Sequence, residues 1–145
     1  MKALRSLRQL LEIRNLRADN LCRSLAEARA DAERASEEEM KASELHEIAA
    51  SRAAGNPVAD ALRKDGIVSG AQLQDALMRQ SMSRGRKADA GVLLEKRILA
   101  RLAVQERAEQ TAVDFSYAQK AVLRTEISIE TAEKRARVLR LDRNY

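Results

Sequence analysis

The first fifty-four residues contain no glycine and no proline, and one apolar stripe runs through them. It recurs at alternating steps of three and four: Leu4, Leu7, Leu11, Arg14, Ala18, Leu21, Leu25, Ala28, Ala32, Ala35, Glu39, Ala42, His46 and Ala49. Eleven of these fourteen positions are apolar, which keeps the stripe on one side of an unbroken helix, as in a coiled coil. A helix from about residue 2 to 53 is roughly 75 Å long at 1.5 Å per residue. Such a helix cannot fold back on itself, so it needs a partner.

The rest of the chain supplies one. From Val104 a second stripe runs Val104, Ala108, Thr111, Phe115, Ala118, Val122, Thr125, Ile129, Ala132, Ala136, Leu139, nine of eleven apolar and the other two Thr. Upstream, Leu94, Ile98 and Leu102 sit on a different phase, so the register is expected to shift near Arg101 as a stutter shifts it. Aromatic residues are 2% of the chain, with 5 Gly and 1 Pro against 34% charged residues. Long helices built on Ala and Leu fit that composition, whereas sheet enzymes, Rossmann folds and barrels do not. A length of 145 residues suits one domain.

Between the stripes lies the only punctuated stretch, AAGNPVADALRKDGIVSGAQLQ. Gly55 suits a helix end, and Asn56-Pro57 suits a cap followed by a first helical residue. One or two turns over residues 58–64 are expected, stopped at Asp65-Gly66. Ser69 with Gln72 has the form of a capping box, so helix resumes near Gly70. Gly85 and Gly91 weaken that helix without ending it. The expected fold class is all-α: two long helices, about 2–53 and about 70–142, in an antiparallel coiled-coil hairpin, joined by a short irregular or helical connector over about 54–69.

Charge agrees with a hairpin. Residues 31–47 hold seven acidic residues against Arg34 and Lys41, while residues 79–101 hold seven basic ones against Asp89 and Glu95. Folding the chain near 65–72 sets these stretches side by side and brings two arginine-rich ends together.

Catalytic constellations are missing. A single histidine, His46, excludes a His cluster or a Ser-His-Asp arrangement, and at its seam position it is expected to be packed or half exposed rather than a ligand. The single Cys22 offers no internal disulfide and no metal spacing, and it reads as a small hydrophobe beside the seam. Glu37, Glu38 and Glu39 point in different directions on a helix, as a solvated face does. No phosphate-cradling loop is present. We expect no enzyme, no cofactor and no metal. Net charge is +5, from 27 basic and 22 acidic residues, but Glu12, Asp19 and Asp142 are mixed among the terminal arginines and few aromatics are available for stacking. Nucleic acid is therefore not the expected partner. No apolar run is long enough to cross a membrane, and MKALRSLRQLLEIR does not read as a secretory signal. A soluble cytoplasmic protein is expected, with a monomer preferred over a four-helix dimer. At the tip, Ile67, Val68, Leu73, Leu77, Met78 and Met82 form an apolar cluster. It either folds over the hairpin end as a cap or is a docking patch.

The size, the two-helix plan with both ends together, and the segment GIVSGAQLQDALMRQSMSRGRK at 66–87 carry a resemblance. The chain resembles the central-stalk proteins of type III secretion systems, FliJ-like in flagella and YscO/InvI-like (SctO-type) in injectisomes. In that family a short Gly-Ile-x-Ser or Leu-Ser start leads into a helix with spaced apolar residues and then Arg and Gln. Leu and Met stand here where the flagellar members carry aromatics.

The resemblance implies a non-enzymatic stalk, similar to the γ subunit of rotary ATP synthases. Its paired ends would insert into the hexameric export ATPase and promote assembly and activity. Its tip would reach the cytoplasmic domain of the export-gate protein, with secretion chaperones as further partners. Carried onto this chain, the ATPase-binding end comprises Leu4, Arg5, Leu7, Arg8 and Leu11 with Arg135, Leu139, Arg140 and Arg143. The gate- or chaperone-binding surface comprises Leu73, Leu77, Met78 and Met82. The implied location is cytoplasmic, peripheral to the inner membrane at the export apparatus. The alternative is a coiled-coil escort or scaffold that grips export substrates or chaperones through its tip.

Overall fold

A computed structural model describes residues 2–145, Asp65 by its backbone alone. The described residues form three helices and no strand: α1 (Lys2–Ala54), α2 (Pro57–Asp65) and α3 (Gly70–Arg143). The chain is all-α, and both long helices have the expected bounds to within a residue.

The short breaks follow from local chemistry. Asn56 caps α2, its side-chain oxygen accepting from the Ala59 amide at 3.1 Å, with Pro57 in the first turn, where a missing N–H costs nothing. Gly66 ends it at φ 65°, its amide donating to the Leu62 carbonyl at 3.1 Å. A left-handed residue there favours glycine because a Cβ would crowd its own carbonyl. At the start of α3 the Ser69 hydroxyl accepts from the Gln72 amide at 3.2 Å, and the Gln72 side chain accepts from the Ser69 amide at 3.1 Å. Two otherwise orphaned amides are satisfied reciprocally. α3 passes through Gly85 and Gly91 without a break.

The helices contribute to two compact units, Met1–Asp31 with Gln105–Tyr145, and Ala32–Val104. In the first, Arg8 Nη2 lies 3.2 Å from Glu133 Oε1. Arg14 Nη1 donates to the Ala121 carbonyl at 3.1 Å and to Thr125 Oγ1 at 2.6 Å. The α3 partner numbers fall as the α1 numbers rise, so the two segments run in opposite senses. Leu25, Ala28, Ala108 and Ala118 are buried along this seam. Small side chains let the helix axes approach closely. Thr125 is only 2% exposed, and its hydroxyl also donates to the Ala121 carbonyl at 2.9 Å. A half-buried Arg14 and a buried Thr125 thus form a polar layer inside an Ala/Leu seam. The buried hydroxyl costs little because both its donor and acceptor roles are filled.

The second unit pairs α1 and α3 through charge. Arg97 Nη1 lies 2.8 Å from Glu38 Oε2, and Arg101 is ion-paired with Glu39. Further along, the His46 ring lies 3.7 Å from where a Gly91 side chain would begin. Glu39 and His46 are half-buried, as are Gly91, Leu94, Ile98, Arg101 and Val104. The acidic 31–47 and basic 79–101 stretches therefore meet through the Arg97–Glu38 and Arg101–Glu39 pairs.

The register shift differs from the expected one. Leu102 is exposed, and the seam steps from half-buried Ile98, Arg101 and Val104 to buried Ala108. Two consecutive steps of three are a stammer, which overwinds the helix, rather than a stutter. The cause is Arg101, whose apolar stem occupies the seam while its guanidinium reaches Glu39. A charged residue thus holds the seam position that apolar spacing assigns to Leu102.

Candidate functional site

The residues implied at the ATPase-binding end all lie in the first unit. Leu4, Leu7 and Leu11 are half-buried, while Arg5, Arg8, Arg135, Leu139, Arg140 and Arg143 are exposed. Ala3, Leu4 and Leu7 line one shallow depression together with Arg135, Ala136 and Leu139, so the two arginine-rich ends do come together. The three leucines face the opposing helix and do not stand free. Leu139 is the one seam position of its stripe left open, at 62% exposure, and Val138 and Leu141 beside it are equally open. Seam periodicity did not single out those two, because they lie off the stripe. Arg8 directs part of its charge to Glu133. The end is thus a set of exposed guanidinium groups around a small open apolar cluster, chemistry suited to an acidic surface with an apolar recess.

The residues implied at the connector lie in the second unit. Leu73, Leu77, Met78 and Met82 are all exposed, as are Leu62 and Ile67, the last at 84%. Only Ala76 is buried on this first part of α3, with Gln80 and Ser83 half-buried. Within its unit this apolar set is not folded under a cap. Leu73 with Leu77, and Met78 with Met82, lie one turn apart on neighbouring strips of the helix surface. A face of that kind, with two flexible thioethers, adapts to an apolar partner.

Other sequence-selected residues have structural places. His46 packs beside Gly91, and Cys22 is exposed. Among the described residues, no three His, Cys, Asp or Glu side chains gather as a metal site needs. No described helix is long and apolar enough to cross a membrane.

No family model, no curated protein and no solved structure matches the chain.

Proposed function

We propose that this chain is a monomeric, non-enzymatic central stalk of a bacterial type III export apparatus. In this reading α1 and α3 form one antiparallel coiled-coil hairpin. Its paired terminal end enters the hexameric export ATPase, and its connector end meets the cytoplasmic domain of the export gate at the inner membrane. The observation that carries the reading is the convergence of Leu4 and Leu7 with Arg135 and Leu139 at one end, surrounded by exposed Arg5, Arg140 and Arg143. Guanidinium groups on such an end are drawn toward a carboxylate-rich ring pore, and Leu139 with its neighbours supplies the short-range contact. The resemblance of residues 66–87 to the family's connector supports the same assignment. Nothing in the proposed role requires a reacting group. The stalk acts by binding the assembled ring better than its separate subunits, which shifts the assembly equilibrium.

Mixing the chain with the export ATPase of its own system, followed by light scattering, tests this. Hexamers at concentrations where the ATPase alone is monomeric are the expected result. An unchanged ATPase mass refutes the reading.

The exposure of Leu73, Leu77, Met78 and Met82 favours a second reading, an escort that grips export substrates or chaperones through this surface. It predicts chaperone binding with no effect on ring assembly.

A further inference from the structure

In the first unit, α3 carries a second stripe that the helix pair leaves uncovered. Counting in steps of four and three from Val113 to Leu141, its positions hold Val113, Tyr117, Ile127, Val138 and Leu141, interleaved with Lys120, Arg124, Thr131 and Lys134. All are exposed, Ile127 at 61%. No carboxylate falls on it. On α1 of the same unit, Leu10, Ile13 and Leu16 are also exposed, Ile13 at 63%.

The stripe, Leu10 and Ile13 belong to one side of the pair, since heptad spacing places Leu10 and Ile13 with Ala3 and Arg17 and leaves Leu16 on the outer face. Tyr117 lines a depression with Arg14, Arg17 and Ala121, and Ile127 and Thr131 line another with Ala3 and Leu7. The other side has its own depression, lined by Asn15, Asp19, Cys22, Gln119, Leu123 and Glu126. Charge separates the two sides as well. Between residues 10–24 of α1 and 113–135 of α3, Arg17, Lys120, Arg124 and Arg135 share the first side with one acidic group, Asp114, which is already engaged by Gln110 at 3.1 Å. Over the same span the second side carries Glu12, Asp19, Glu126, Glu130 and Glu133 and no basic residue, and among the described residues Leu123 is its one large exposed apolar side chain.

We infer that the first side docks an acidic amphipathic helix of a partner protein, completing a three-helix bundle over this unit. A stripe repeating in steps of three and four is the pattern one helix presents to another, and the grooves beside Tyr117 and Ile127 accept a helix's side-chain ridge. The flanking cations select glutamates and aspartates beside the partner's apolar seam. A second copy of this chain fits badly. Through the same side it sets cation against cation, and through its other side it offers only Leu123. The inference stands whether or not an export ATPase is the partner.

The test titrates the full chain into two labelled synthetic helices of four heptads. Both carry Leu at the seam positions; one has Glu and the other Lys at the flanking positions. The Glu helix is expected to bind, with backbone NMR shifts at Ile13, Arg17, Tyr117, Arg124 and Ile127, and the Lys helix is not. Ile13→Glu with Ile127→Glu weakens binding by at least about tenfold, while Leu123→Asp does not. Arg17→Glu with Arg124→Glu, entirely on the surface, weakens it similarly and removes much of its salt dependence. Equal binding of both helices, no binding of the Glu helix, or full binding by the Ile13/Ile127 variant with helicity retained overturns the inference. So does capture by phosphatidylglycerol vesicles with the same residues protected and no Glu-helix binding, or self-association through this side.

Discussion

The polar layer of Arg14 and Thr125 makes an asymmetric prediction about stability. Thr125→Val keeps the shape of the side chain but removes the acceptor that takes the Arg14 guanidinium proton at 2.6 Å. Arg14 still reaches the Ala121 carbonyl and is half-buried, so water recovers part of the loss. Hydrogen bonds to charged groups contribute about 1.5–3 kcal/mol, and we expect a cost of about 1.5 kcal/mol, near the lower end. For a chain of this size that lowers Tm by roughly 5 °C. Arg14→Leu alone behaves differently. Thr125 keeps its bond to Ala121, and an apolar side chain enters an apolar seam, so stability is unchanged or higher. In the Arg14→Leu background, Thr125→Val then costs nearly nothing, which makes the coupling between the two sites about 1.5 kcal/mol. Urea unfolding of the four proteins, followed by circular dichroism, measures each term. A cost below about 0.5 kcal/mol for Thr125→Val, or the same cost in both backgrounds, refutes the layer's role. The apolar double variant is also expected to lose pairing specificity and to show higher-order species in light scattering, since a polar seam position fixes register.

Gly91→Ala raises stability by about 0.5–1 kcal/mol in the same unfolding assay, because the added methyl meets His46 at an ordinary 3.7 Å while helix propensity improves. Gly66→Ala lowers it by about 1–2 kcal/mol although nothing lies within 4 Å, because the left-handed φ of 65° alone carries the cost. Leu77→Asp with Met78→Asp leaves helicity unchanged by circular dichroism and abolishes pull-down of the gate domain or of secretion chaperones. Intact binding removes the connector surface from the account.

Much of this fold is legible in the sequence because heptad spacing and capping chemistry are local. All fourteen positions of the first stripe, including Arg14, Glu39 and His46, are at least half-buried. The Ser69–Gln72 box and the Gly66 stop lie where their residue types place them. The misassigned register at Leu102 has a specific cause. Apolar spacing cannot recognise Arg101 as a seam residue, since its place depends on Glu39, some sixty residues away. The polar layer was equally hidden, because nothing in the sequence pairs Arg14 with Thr125. The basic, apolar side of the first unit is illegible in the sequence for another reason. Val113, Tyr117 and Ile127 look like scattered exceptions until the Val104–Leu139 stripe of the same helix is seen to be occupied. The converging ends were legible as arginine-rich segments, whereas the open cluster of Val138, Leu139 and Leu141 depends on the seam ending before it.

The stalk proposal is tested most directly by ATP hydrolysis of the purified export ATPase from the same system, with and without this chain. Several-fold stimulation is predicted, lost when Arg140→Glu and Arg143→Glu are combined and retained in Leu77→Asp/Met78→Asp. No stimulation by a chain shown to be folded and helical, or full stimulation by the arginine double variant, contradicts it.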